Sequence, residues 1–256
     1  MRFALAAAAL LCPLAMTAPA QGEAAPIAAP DALTAARIIE NAYAHAGGEA
    51  WVNPQSLLME GYGLFWRGGE DYVRYEPYRM WRVYPQVKED AHAADGRVRI
   101  EAFNEGDVVF QIAFDGEQTY DQNGPLEEEA DSERWSSNFG FGVIRHALDE
   151  GYAVRRGPDD YVDGAPAYTL TVIDPAGGET LFHIRQSDFA IVGVGFDTPR
   201  GWHERRYSDF YRNQDGGWLQ PGRVRLYYDG VKANEIYWTS FTTGEEFDVE
   251  LFRLGE

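Results

Sequence analysis

From residue 57 onward the chain alternates short apolar-polar runs with tight-turn dipeptides, and this pattern narrows the possible folds more than any other feature. Ten runs read as strands: Leu57–Trp66, Tyr72–Tyr84, Arg97–Phe103, Val108–Phe114, Ala167–Ile173, Thr180–Arg185, Ala190–Phe196, Glu204–Phe210, Arg223–Tyr228 and Glu235–Thr242. Between them lie Gly68-Gly69, Asp95-Gly96, Asp115-Gly116, Asp163-Gly164, Gly177-Gly178 and Asp229-Gly230, residue pairs suited to the left-handed conformations that two-residue hairpin turns require. Strands at such spacing, with no sequence repeat of fixed period, predict one antiparallel sheet, sandwich or barrel. In the stretch 207–230, a turn at Asp215, Gly216 and Gly217 joins two strands. Val224, Leu226 and Tyr228 alternate there with Arg223, Arg225 and Tyr227, which predicts an inward apolar row backed by arginines facing solvent.

Two stretches carry a helical period instead. Asp31 is placed to cap a helix whose Leu33, Ala36, Ile39, Ala42, Tyr43 and Ala46 share one face, with Gly47 and Gly48 as its stop. Further on, Asn138 precedes Phe141, Ile144 and Leu148 on one face, ending at Gly151. Gly140 and Gly142 each weaken that segment by roughly 1 kcal/mol relative to alanine, so it needs tertiary packing to persist. An acidic loop, Glu127, Glu128, Glu129, Asp131 and Glu133, comes before it; such a run is read as a solvated loop, with cation binding or gating as alternatives. The expected fold class is mainly β (α+β): a long, curved antiparallel sheet with two helices against it, in one domain from Asp31 onward.

The N-terminus reads as a cleavable export signal. Arg2 precedes an apolar run from Phe3 to Ala15, and Ala18, Pro19 and Ala20 supply small residues for cleavage after Ala20. Residues 21–30, rich in Ala and Pro, follow as a linker. No later run reaches the roughly 20 apolar residues of a membrane span. The single cysteine, Cys12, follows Leu11, where lipidation needs a small residue, so the exported chain is expected to be unlipidated and free of thiols, as suits a periplasm. The net charge of −19 becomes one unit more negative once Arg2 is removed, which disfavours nucleic acid and anionic surfaces as partners. Apart from Lys88 and Lys232 every cationic side chain is arginine, a bias that genome composition and anion recognition explain equally well.

Catalytic signatures are missing from the sequence: there is no nucleophile elbow, no HExxH spacing and no glycine-rich phosphate loop between a strand and a helix. The histidines are scattered. His203 and Glu204, with Asp197 nearby, come nearest to a metal site, but strand neighbours point to opposite faces, so no metal and no cofactor is expected. Tyr62, Trp66, Trp202 and Trp218 could stack on sugars, yet strands are rich in aromatics in any case. What remains is apolar surface. Leu57, Met59 and Phe65, then Val98, Ile100 and Ala102, then Val108, Phe110, Ile112 and Phe114, then Leu170 and Val172 form matching inward sets. They make either a core filled by the helices or the wall of a ligand cavity.

The order of these features resembles the LolA/LolB-like superfamily of outer-membrane lipoprotein carriers over nearly the whole exported chain. The likeness rests on the signal peptide, the helix ending in Gly47 and Gly48, strand Ser56 to Trp66, the Asp115, Gly116, Tyr120 turn, the inserted helix, the stretch holding Tyr161, Asp163, Gly164, Tyr168 and Leu170, and the hairpin over 207–230. It implies a single domain, 31–256, built as an incomplete β-barrel covered by N-terminal and inserted helices, with a hydrophobic cavity between sheet and lid. The implied ligand-binding residues are the inward sets named above, without Ala102 and Val108, together with the lid residues Phe141, Ile144 and Leu148 and the hairpin residues Val224, Leu226 and Tyr228. The resemblance further implies a soluble periplasmic carrier or chaperone for lipoproteins, lipids or related amphiphiles, whose partners are acyl chains, with an inner-membrane transporter or outer-membrane acceptor as further candidates. An envelope-sensing regulator or exporter accessory of the same fold is the alternative, followed by a secreted enzyme. Arg74, Arg79 and Arg99 lie on strands and are expected outward and solvated.

Overall fold

The computed structural model describes residues 33–68, 71–85, 92–127, 129, 132–213 and 217–255. The expected signal peptide, linker and Asp31 cap lie outside the described residues, as do Gly69, Glu128, Asp131, Asp215 and Gly216. Helix α1 (Ala35–Ala46) begins instead at Thr34, whose hydroxyl accepts the Arg37 N–H, and ends at Gly47, whose φ of 141° no side-chain-bearing residue adopts readily. A short helix, α2 (Glu49–Val52), follows.

Among the described residues, fourteen strands make one antiparallel sheet that does not close into a barrel. The first six are β1 (Ser56–Trp66), β2 (Tyr72–Val83), β3 (Arg97–Asn104), β4 (Asp107–Phe114), β5 (Thr119–Asp121) and β6 (Gly124–Leu126). Each pairs with its predecessor, so the chain walks from the middle of the sheet to one edge. After α3 (Glu133–Phe139) and a 3-10 turn (Gly140–His146) it resumes at the opposite edge. There β7 (Ala153–Arg156) and β8 (Asp160–Val162) both pair with β9 (Ala165–Ile173). The strands β10 (Glu179–Arg185), β11 (Ile191–Thr198), β12 (Gly201–Arg212), β13 (Leu219–Tyr228) and β14 (Val231–Thr243) then walk back to the middle, where β14 joins β1. The inserted helical segment is therefore the connection between the two sheet edges. Strands β5 to β8 were not expected, because three or four residues are too few to show alternation.

Local chemistry explains the register. Asp163-Gly164 and Asp229-Gly230 both hold positive φ at two successive residues, the type I′ geometry whose twist matches a hairpin. In β1 the register shifts beside Gly61, where any Cβ would lie 1.8 Å from the Tyr237 carbonyl oxygen. The inserted helix begins earlier than its glycines suggested. Ser132 precedes α3, which runs only to Phe139, and the remainder tightens into the 3-10 turn. Gly140 is the switch point: a Cβ there would lie 2.5 Å from Cε1 of Phe196.

The concave face carries two kinds of interior. On the β9 to β11 side, Leu170, Val172, Phe182, Ile184 and Val194 pack with Ile38, Ile39 and Ala42 of α1 and with Val143 and Ile144 of the 3-10 turn in a closed core. On the β3 and β4 side, Val98, Ile100, Ile112 and Phe114 pack with Trp135 and Phe139 of α3. On the convex face, Arg79 bridges Glu60 (2.9 Å) and Glu101 (3.3 Å), and Arg99 binds Glu101 (2.7 Å). Arg74 pairs with Glu76 (2.7 Å). These arginines face outward as expected, but in ion pairs rather than merely solvated. The same holds for Arg223, paired with the buried Glu235, and for Arg225, paired with Asp163.

Candidate functional site

Between the two packed regions the helices leave a gap of about 680 Å³, within the roughly 300–1,000 Å³ usual for small-molecule sites. Its floor is the middle of the sheet. Leu57, Met59 and Phe65 of β1, Val98 and Ile100 of β3, and Phe110 and Ile112 of β4 line it. Across the cavity stand Val224, Leu226 and Tyr228 of β13. Phe141 of the 3-10 turn covers it, packing edge-on against Tyr207 (5.3 Å between centroids) and Trp51 (6.3 Å).

The other expected residues lie elsewhere. Phe114 is buried against Trp135. Ile144, Leu170 and Val172 are fully buried in the core beside α1. Leu148 lies beyond the 3-10 turn and is 44 % exposed, because the segment stops following a helical period after Gly140. Val108 is exposed as well, next to a register shift between β3 and β4.

Polar groups at the cavity were not foreseen from the sequence. Trp218 donates its indole N–H to Gln220 (3.2 Å), and Gln220 reaches Met59 Sδ (3.1 Å). Tyr78 and Tyr207 have their hydroxyl pKa pushed up to about 12 by burial, so both stay neutral. Five arginines line the space: Arg82, Arg134, Arg145, Arg200 and Arg205. The inward direction of Arg205 was readable in principle. Arg205 is paired with Leu226 and Tyr207 with Val224, and directly opposed residues share a face.

Among the described residues no group of three or more His, Asp or Glu side chains could hold a metal. His203, the best metal suggestion, is fully buried, stacked on Phe196 (4.6 Å), with neither ring nitrogen hydrogen-bonded. Burial pushes its pKa down to about 2, so the ring is neutral. Glu204 lies on the opposite face with Arg206. No described helix is long and apolar enough to cross a membrane.

No family model matches the chain, and no curated protein matches it. Solved structures do. A LolA superfamily protein from Nitrosomonas europaea is 13% identical, with 86% of this chain covering 98% of that one at a TM-score of 0.56. A putative outer membrane lipoprotein-sorting protein domain from Vibrio parahaemolyticus is 12% identical, with 84% of this chain and 94% of that one covered (TM-score 0.48). A DUF1329 family protein from Desulfovibrio piger is 12% identical over 85% of this chain and 96% of that one (TM-score 0.49). The fold is LolA-like, carried at very low sequence identity.

Proposed function

We propose that this LolA-like chain is a periplasmic carrier or chaperone, exported by cleavage after Ala20 and unlipidated, that holds the acyl chain of a lipid, lipoprotein or related amphiphile in its cavity. We further read residues 31–256 as one ligand-binding domain and its activity as binding rather than catalysis.

The observation that carries this reading is the unfilled, mostly apolar space of about 680 Å³ between sheet and helical cover. An ordinary core is packed to crystal density, so a space of this size, with an apolar floor and arginines at its border, supports the reading of a ligand site. Each methylene buried there contributes about 0.8 kcal/mol. A guest of ten methylenes would thus gain on the order of 8 kcal/mol before ordering costs, which sets about micromolar as the tightest binding its burial alone can give. The cover, α3 with the 3-10 turn, is a connection between the sheet edges rather than part of the hydrogen-bonded ladder.

Transfer of a fluorescent phospholipid between donor and acceptor vesicles held apart by a dialysis membrane tests the proposal. The exported form should carry the label across, and Leu226→Trp, which narrows the space, should slow it with the fold intact by circular dichroism. A chain that neither binds nor moves any amphiphile would sink the reading.

A further inference from the structure

The chain carries 41 acidic side chains against 22 basic ones, yet its cavity reverses that sign. Among the described residues that line it there are five arginines and no aspartate, glutamate or lysine. Arg82 is paired with Asp95, and Arg134 and Arg200 are exposed. Arg145 and Arg205 are different, for neither forms an ion pair with a described carboxylate.

Arg145 is only 5 % exposed. Its Nε donates to the Trp51 carbonyl (2.8 Å), and its guanidinium carbon lies 4.3 Å from the Trp51 ring centroid, 5.1 Å from Tyr84, and 5.6 Å from Phe141 and from Trp218. Burial draws its pKa down, but a guanidinium stays protonated in proteins. The aromatic rings attract the cation; they do not supply acceptors for its remaining N–H groups. Buried charges are normally paired; here Asp95, already bound to Arg82, attracts the guanidinium only at a distance, and the fork borders the cavity without an ion-pair partner among the described residues. Arg205, on the same face as Tyr207 and opposite Leu226, is half-buried and likewise forms no ion pair with a described carboxylate. One of its Nη atoms donates to the Ser137 carbonyl (2.6 Å) and lies 3.3 Å from Asn138 Oδ1, both in α3.

We propose that the cavity is specific for amphiphiles ending in a carboxylate or phosphate, with Arg145, supported by Arg205, taking the anionic head while the apolar sheet takes the chain. This rests on the binding function proposed above and narrows it: a neutral ester- or amide-linked acyl chain would leave Arg145 unpaired in a drier site than before. The negative exterior has a matching role, since it keeps anions from adhering elsewhere on the protein.

The test uses the exported form and the intrinsic fluorescence of Trp51, Trp218 and Trp238, all of which line the cavity. Quenching by 9,10-dibromostearate is compared with quenching by its methyl ester, with inorganic phosphate added as competitor, at concentrations below micelle formation. The acid should bind about tenfold or more tightly than the ester, as a charge-assisted hydrogen bond worth about 1.5–3 kcal/mol implies. Arg145→Gln should remove that preference, bringing the affinities for acid and ester together, and phosphate alone should compete weakly. Arg205→Gln is the second variant, expected to reduce the preference if Arg145→Gln does not fold. Equal binding of acid and ester by the wild type overturns the anion specificity while leaving the carrier function standing. So does an acid preference that survives both substitutions. Full competition by phosphate at the affinity of the acid makes the site one for free anions and overturns the proposal too. Binding of neither stearoyl compound removes both readings.

Discussion

Tyr43 donates its hydroxyl proton to the carbonyl of Ile144 at 2.5 Å, fastening α1 to the 3-10 turn that covers the cavity. Burial raises the pKa of this tyrosine well above its usual value, so it remains a donor across the accessible pH range. The carbonyl it satisfies belongs to a turn whose own hydrogen bonds are sparse.

We predict that Tyr43→Phe lowers stability by about 1 kcal/mol and accelerates ligand exchange at the same time. Urea unfolding measures the first, stopped-flow displacement of a bound fluorescent fatty acid the second. Unchanged exchange rates with reduced stability would mean that this tie holds the core but not the cover.

Gly140 should tolerate no side chain. A Cβ would meet the ring of Phe196 at 2.5 Å, and Phe196 is itself held between the rings of His92 and His203 at 4.5 and 4.6 Å. Gly140→Val is expected to destabilise by about 1–3 kcal/mol through overpacking. In an isolated helix the same change would be mildly favourable, so an unchanged or raised Tm would contradict the packing described.

The division of the concave face into core and cavity predicts unequal costs for truncation. Leu170→Ala, in the closed core, should cost about 2–5 kcal/mol. Phe110→Ala borders space that is already open and should cost less while enlarging the ligand site, which chemical denaturation of the ligand-free protein can compare directly. Equal losses at the two positions would argue that the space is collapsed in solution.

Most of the sheet was legible because its strands are long enough to alternate and its turns use Asp-Gly and Gly-Gly pairs. What escaped was set by tertiary context. Gly140 and Gly142 looked like weak points within a helix, whereas Gly140 marks the place where the chain must approach Phe196 and change helical type. Leu170 and Val172 belonged to the apolar face as read, but only the position of α1 decides that they meet a helix rather than open space. Arg205 was legible through strand pairing once Leu226 was placed inward. Arg145 follows Ile144 by a single residue, and no pattern distinguishes a buried arginine in an aromatic box from a solvated one.

His203 offers a test of the buried polar interior through pH. Its ring is enclosed by Phe196 and Tyr228, has no hydrogen-bond partner, and has its pKa pushed down to about 2 from about 6.5 in an unfolded chain. Between those values the unfolded state binds a proton that the native state excludes. Stability therefore rises with pH up to about 6.5 and falls as pH drops below it, by at most about 1.4 kcal/mol per pH unit. His45 and His183 are also shifted down by burial and add slope of the same sign. Asp115, Asp163, Asp188 and Glu235 have pKa values below the usual carboxylate range, so their contribution is lost mainly at lower pH, below about 4. We therefore expect His203→Leu, which keeps the volume and removes both unsatisfied nitrogens, to lose about 1–2 kcal/mol less than the wild type between pH 7 and pH 5. Urea titrations at the two pH values make the comparison. Parallel losses in the two proteins would show that His203 takes up a proton in the folded state, and hence that water reaches the ring.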